Sequence, residues 1–328
     1  MADIARLAGV DISTVSRALA GSPRVTEETR KRIAEIVEDT GYVVNRSARM
    51  LRDGQAHQIL VLIPDIAASF YPDVVKGVEE VAYDHGINVL LGSTMRNLER
   101  EADFGKQLLT GAVDGLLTIT GSVPETIRTL PDYQRRIVAL SRGVPDKDIP
   151  CVGIDNAAGT RDALQYLYGL GHRNILHISG PRTSDVFQAR ARAYEGFMRE
   201  KGLSEYCRVK EVKEFSFASG LSQMTEVVST IAPLPTAIFG ATDELAIGAM
   251  TAARNVGLSI PEDISVMGFD DLIFSSLTYP ALTTIHIPRI EIGRQGVTLL
   301  LDRMSGEPGT NISLPHELVI RDSCGPVS

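Results

Sequence analysis

The stretch IARLAGVDISTVSRAL, from Ile4 to Leu19, predicts a helix, a tight turn and a second helix packed across the first. Ala5 falls where two crossing helices approach most closely, and Gly9 falls where the turn needs a backbone with positive φ. Val15 faces back between the helices, and Ile4, Ala8, Val10 and Leu19 complete an apolar face. Ser13, Thr14, Ser16 and Arg17 are then left on the outer side of the second helix, within reach of base edges and phosphates. This is the geometry of a DNA-reading helix-turn-helix, although the pattern alone would also suit an ordinary helical hairpin.

The residues that follow argue for the first reading. Thr26 predicts the cap of a third helix, Glu27 and Glu28 lie in its electropositive first turn, Ile33, Ile36 and Val37 form its buried face, and Gly41 ends it. A short basic segment, YVVNRSARMLR from Tyr42 to Arg52, comes next. With DxAxxAGVxxxTVSRxL from Asp3, TRxxI from Thr29 and GYxxNxxAxxL from Gly41, in that order, the chain resembles the lactose/galactose repressor (LacI/GalR) family of bacterial regulators. The resemblance runs through the whole chain. Relatives usually carry several residues before the position of Asp3, where this sequence has only Met1 and Ala2. The start therefore reads as truncated or misassigned, with Asp3 or Met1 opening the helix on a weaker cap.

Composition sets bounds on the rest. The 328 residues, 44% hydrophobic and 23% charged, suit a soluble globular protein of two or three domains. No apolar run is long enough to span a bilayer and no secretory signal pattern opens the chain, so a cytoplasmic protein with no membrane partner is expected. Cys151, Cys207 and Cys324 are far apart and odd in number, which supports neither a disulfide framework nor a metal site. The net charge of −8 is unevenly spread: residues 1–52 hold nine Lys/Arg against seven Asp/Glu, a balance of +2, and the remainder holds 24 against 34, a balance of −10. An acidic body would repel DNA phosphates and confine contact to the head, and so small a cationic charge per head implies that two heads act together on a pseudo-palindromic operator.

Beyond Gln55 short apolar runs alternate with helical patterns. Gln58–Ile63 is a continuous apolar run ended by Pro64, as expected of a strand buried on both faces of a parallel sheet. Further strands are expected at 87–91, 115–119, 137–140, 175–178, 209–212, 237–239, 264–267 and 318–320, with helices between them, including one near 124–130 and one from Gly159. The expected fold is an N-terminal all-α helix-turn-helix head plus an α/β, two-lobed, periplasmic-binding-protein-like body with two open, mostly parallel sheets. The expected limits are 1–44 for the head, 45–56 for a hinge helix and linker, 57–155 with 286–312 for the N-terminal lobe, and 156–285 with 313–328 for the C-terminal lobe. Crossovers near Asp155, Ile285 and Leu314 would form a three-stranded hinge, as the resemblance implies. Open α/β sheets bind ligands beyond the C-terminal ends of their strands, so the body reads as a small-molecule sensor.

The resemblance also implies site residues. Ile12, Ser13 and Arg17 match the base-reading positions, where Arg17 can donate two hydrogen bonds to a guanine and Ile12 can touch a thymine methyl. Thr14, Ser16 and Asn45 are candidate phosphate contacts. Ala48 and Leu51 share one face of a hinge helix that is marginal alone, pairs with its homodimer mate on DNA, and wedges Leu51 into the minor groove. For the effector the resemblance points to Phe70, Tyr71, Arg142, Arg190 or Arg192, Phe215, Thr242, Asp243 and Asp270. Asp and Arg bind hydroxyls through charge-assisted hydrogen bonds and aromatic rings pack on the C–H face of a sugar or on a base, so a sugar, sugar acid or nucleoside is expected, with no cofactor. No GxGxxG, P-loop, nucleophile elbow or clustered histidines point to an enzyme. The reading is an effector-responsive repressor, against the alternatives of a transport binding protein and a sugar- or nucleotide-converting α/β enzyme.

Overall fold

The computed structural model describes residues 1–19, 21–42 and 54–327, and divides into two compact units, residues 1–57 and residues 58–328. Helices α1 (Ala2–Ala8), α2 (Ile12–Leu19) and α3 (Glu27–Thr40) make up the first. Gly9 ends α1 with φ 63°, and the N–H of Val10 returns to the carbonyl of Ala5 at 3.0 Å. Helix α2 starts on Asp11, whose carboxylate accepts the N–H of Ser13 at 2.8 Å; contact with Ser13 holds that carboxyl below the usual range. Thr26 caps α3 by accepting the N–H of Thr29, and Gly41 closes it with φ 63°. Ile4, Ala5, Ala8, Val15, Ala18, Val25 and Ile33 fill the core, with Val10, Leu19, Ile36 and Val37 at its edge. Met1 caps α1 without a side-chain hydrogen bond.

The second unit opens with β1 (Gln58–Ile63), buried from Ile59 onward, then α4 (Tyr71–Asp84), β2 (Asn88–Ser93), α5 (Leu98–Leu109), β3 (Gly115–Thr118), β4 (Ile137–Leu140) and β5 (Cys151–Ile154). Helix α6 (Asn156–Gly169) leads to β6 (Ile175–Ser179), α7 (Asp185–Glu200), β7 (Arg208–Glu211), α8 (Phe217–Thr230), β8 (Ala237–Gly240), α9 (Asp243–Asn255) and β9 (Ser265–Met267). The chain closes through β10 (Thr284–His286), α10 (Arg289–Ser305), β11 (Ile312–Leu314) and β12 (Glu317–Val319). One parallel sheet has the order β11-β5-β4-β3-β1-β2 and the other, also parallel, β7-β6-β8-β9, while β10 and β12 form an antiparallel pair. This is the two-lobed α/β body the sequence leads one to expect.

Three details differ from the sequence reading. The helix expected near 124–130 is a pair of short 3-10 turns, Glu125–Thr129 and Tyr133–Arg136; the Leu130 N–H closes onto the Ile127 carbonyl and the Thr126 hydroxyl donates to Ala102 at 3.0 Å. Helix α6 starts three residues before Gly159, because Asp155 caps it by accepting the N–H groups of Ala157 and Ala158, each at 2.9 Å. Ser313 and Leu314 pair with Gly153 and Ile154 in the first sheet, so the first lobe runs two residues past its expected limit at 312, up to the crossover expected near Leu314. No helix among the described residues is long and apolar enough to cross a membrane.

Helices α4 and α10 pack backbone to backbone. A Cβ on Gly293 would lie 2.2 Å from the Val74 carbonyl oxygen, and one on Gly77 would collide with the Ile290 carbonyl. That contact fixes the start of α4, which lies beside the cleft.

Candidate functional site

In the head, Ile12 is half exposed, Ser13 and Arg17 are exposed, and Thr14 and Ser16 are partly covered. Val15 and Ala18 turn the opposite face of α2 into the core, so Ile12, Ser13 and Arg17 are presented together by helical periodicity. An exposed isoleucine in the first turn costs apolar hydration, which contact with a DNA methyl group would relieve. Asn45, Ala48 and Leu51 lie outside the described residues.

In the body, a cavity of about 720 Å³, counted out to its open mouth, lies beyond the C-terminal ends of strands from both sheets. The first lobe contributes Phe70 and Tyr71 after β1, Ile119 after β3, and Ser141 and Arg142 after β4. The second contributes Ser184 and Phe187 after β6, Phe215 after β7, Thr242 and Glu244 after β8, and Asp270 and Leu272 after β9. Phe70 and Tyr71 meet edge to face at 5.7 Å, and the rings of Phe187 and Phe215 are tilted against each other at 5.1 Å, so both lobes offer rings to an occupant.

Polar groups are set among these rings. Arg190, only 3% exposed, donates from Nε to Asn156 Oδ1 at 2.9 Å and from Nη1 to the Ala241 carbonyl, and lies over the Phe269 ring at 3.6 Å. Nη1 also reaches Asp270 Oδ1 at 3.4 Å. Burial pushes the Asp270 carboxyl up to about 7; Arg190 pulls it down and Asp243 adds to the rise. Burial raises Glu244 as well, although hydrogen bonds from Ser69 oppose the rise. Burial likewise lifts the Tyr71 phenol to about 12, so it stays a neutral donor. The Ser141 hydroxyl is buried with no partner among the described residues. Paired donors and acceptors beside apolar rings can bind a ring that carries hydroxyl groups.

Seven of the nine sequence-expected cleft residues line this cavity: Phe70, Tyr71, Arg142, Arg190, Phe215, Thr242 and Asp270. Arg192 does not. It is exposed on α7, two residues and roughly 200° of helical turn from Arg190. Asp243 is fully buried behind the wall, where its carboxylate accepts from the N–H of Leu272 and the hydroxyl of Ser275 at 2.7 Å each, and from the hydroxyl of Thr284. Sequence reasoning passed over Asn156, Phe187 and Glu244. Asn156 opens α6 two residues after β5 ends, and Glu244 is one position beyond Asp243 on the first turn of α9, so strand-end and helix-start position could have found both. Among the described residues, no group of three or more His, Cys, Asp or Glu side chains is placed to hold a metal ion.

Residues 1–45 match the model of bacterial regulatory proteins of the lacI family, and residues 164–324 match that of the periplasmic binding protein-like domain. The HTH-type transcriptional repressor CytR of Escherichia coli (strain K12) is 34% identical over 98% of this chain and 95% of its own length. The Lac repressor dimer bound to operator and the anti-inducer ONPF is 26% identical with a TM-score of 0.86, covering 98% of this chain and 97% of that one. The transcriptional regulator CelR in complex with cellobiose is 28% identical with a TM-score of 0.74, covering 98% of each chain.

Proposed function

The chain belongs to the LacI family of bacterial regulatory proteins and is a DNA-binding transcriptional regulator rather than an enzyme, and from that premise we propose how its two sites are used. The protein is a repressor whose homodimer places two heads on a pseudo-palindromic operator, with Ile12, Ser13 and Arg17 at base edges, Thr14, Ser16 and Asn45 at phosphates, and Ala48 and Leu51 in the minor groove. Residues 45–56 serve as the hinge helix and linker between the head and the effector-binding body. The cleft takes a small effector with a hydroxylated ring: a sugar, a sugar acid or a nucleoside.

One observation carries the effector reading: the buried pair Arg190–Asp270 and the rings of Phe70, Tyr71, Phe187 and Phe215 converge on one cavity at the strand ends. Hydroxyl groups would meet Arg190, Asn156 and Asp270, and a ring face would meet the aromatic side chains. The Lac repressor with ONPF and CelR with cellobiose lend support, being similar chains with small ligands.

A thermal-shift screen of sugars, sugar acids and nucleosides tests this reading. A true effector at 100 times its Kd adds about 2.7 kcal/mol to stability, and the same compound should do nothing for Asp270→Ala. A ligand that stabilises both proteins equally binds elsewhere.

A further inference from the structure

We infer that Arg289 is the positioning residue that holds Asp270 in its cleft-facing conformation and ties it to the α4–α10 pair of the first lobe; the inference rests on the cleft being the effector site. Arg289 opens α10 and is 7% exposed. Its Nε and Nη2 donate to Asp73 Oδ2 at 3.1 and 2.9 Å, Nη1 donates to the Asp270 carbonyl, and Nη2 donates also to the Asp271 carbonyl at 3.0 Å. One guanidinium therefore spans a carboxylate on α4 and two successive carbonyls beyond β9.

Those two carbonyls belong to an unusual stretch of backbone. Asp270 has φ 117° and Asp271 φ 53°, left-handed values that are costly for residues bearing a Cβ and persist only where the surroundings enforce them. Three grips enforce them here. The Asp270 N–H donates to the Ile285 carbonyl at 2.8 Å. The Asp271 carboxylate takes His286 Nδ1 at 2.9 Å and Arg321 Nη2 at 2.7 Å. Arg289 supplies the third, and of the three it alone lies on a helix packed in the first lobe, past the crossing at residues 286–288.

Gly77 and Gly293 let α4 and α10 pack in backbone contact, so Arg289 is carried on a helix seated directly against the start of α4, where Phe70 and Tyr71 face the cavity. Arg289 thus sets where Asp270, from one lobe, stands against the aromatic wall of the other. Lysine could not replace it, since a single ammonium cannot address three acceptors in a planar fork.

The test uses the full-length protein without ligand: wild type, Arg289→Met, Arg289→Lys and Asp73→Asn. Amide hydrogen exchange is followed at Asp270, and the Asp270 carboxyl is titrated by carbon NMR, with Asp270→Asn to assign the signal. Arg289→Met should speed exchange at Asp270 by about tenfold or more, with the β1 and β8 amides unchanged. It should also move the Asp270 titration to higher pH, because a nearby cation has gone. Arg289→Lys should restore the titration but not the protection, and Asp73→Asn should leave both within about threefold of wild type. Wild-type exchange and titration in Arg289→Met would overturn the proposal. So would matching changes in Arg289→Met and Asp73→Asn, which would reduce Arg289 to a staple between helices. Should Arg289→Met not fold, Arg289→Lys against Asp73→Asn decides by the same criterion. Failure of the effector reading is seen separately, as ligands that stabilise Asp270→Ala.

Discussion

Arg142, on the turn that leaves β4, donates through Nε to Asp185 at the start of α7, 3.1 Å away, so the two lobes are joined by an ion pair at the cleft wall. Two further contacts cross the same gap. The Arg96 guanidinium lies 4.9 Å from the centre of the Phe215 ring, and Ser69 hydrogen-bonds to Glu244. All three involve residues that line the cavity or are neighbours of those that do, so ligand contact and lobe contact draw on the same side chains.

The pair is half exposed and worth about 0–1 kcal/mol. Asp185→Ala should therefore weaken effector binding by no more than about fivefold, by loosening the joined arrangement. Arg142→Ala removes a cavity-lining group as well and should weaken it by about tenfold or more, the loss expected of a charge-assisted hydrogen bond. Calorimetric titrations of the two variants decide the matter. Equal losses would make Arg142 a lobe contact only.

The Asp270 carboxyl, raised from 3.8 to about 7, gives a pH signature. Below about pH 4 both folded and unfolded chains hold the proton and the group costs nothing. Between about pH 4 and 7 only the folded chain holds it, so this group makes stability fall as pH rises, and above pH 7 the cost is complete. Effector binding should run the other way, because ligand hydroxyls donate to the ionised carboxylate: affinity should rise as pH passes 7. Asp270→Asn should flatten both curves, as seen by denaturant titration and calorimetry from pH 5 to 8. If the variant keeps the wild-type slopes, another group is titrating.

Gly293→Ala should be strongly destabilising. Its Cβ would lie 2.2 Å from the Val74 carbonyl oxygen and 2.8 Å from the Val78 nitrogen, backbone atoms that cannot step aside singly. Helices α4 and α10 would have to separate, and overpacking of this kind costs about 1–3 kcal/mol or more. A denaturation midpoint within error of wild type would mean that the two helices slide freely.

What was legible in the sequence had a local cause. Gly9, Thr26 and Gly41 mark their helix ends through conformations and caps that depend on single residues, and the central strands β1, β3, β4 and β8 announce themselves as apolar runs because they are buried on both faces, whereas the part-exposed β7, Arg208-Val209-Lys210-Glu211, carries no such run. What was missed had a distant cause. Arg289 carries no signal in its own neighbourhood, since its carboxylate partner is Asp73, 216 positions away. Asp243 stands between two cavity-lining residues, yet the first turn of α9 rotates it inward to Ser275 and Thr284. Adjacency along the chain could not separate Thr242 and Glu244 from Asp243; the helical rotation did.

The last prediction concerns reading by the head. Arg17 is exposed on α2, with Val15 and Ala18 of the same helix in the core, so Arg17→Ala should leave the three-helix unit folded. A bidentate arginine–guanine contact discriminates by about 1–3 kcal/mol, and a homodimer uses it twice, so the loss of operator affinity should be about twice that in free energy. Binding to random DNA should fall far less, because it depends on phosphate contacts and salt rather than on base edges. Ile12→Ala should act differently again, relaxing the preference for thymine at one position in each half-site while leaving the salt dependence unchanged. Footprints and salt-dependent titrations on a palindrome, a single half-site and random DNA separate these outcomes. If Arg17→Ala lowered affinity for all three DNAs by the same factor, Arg17 would be a phosphate contact and the base-reading assignment of α2 would fail.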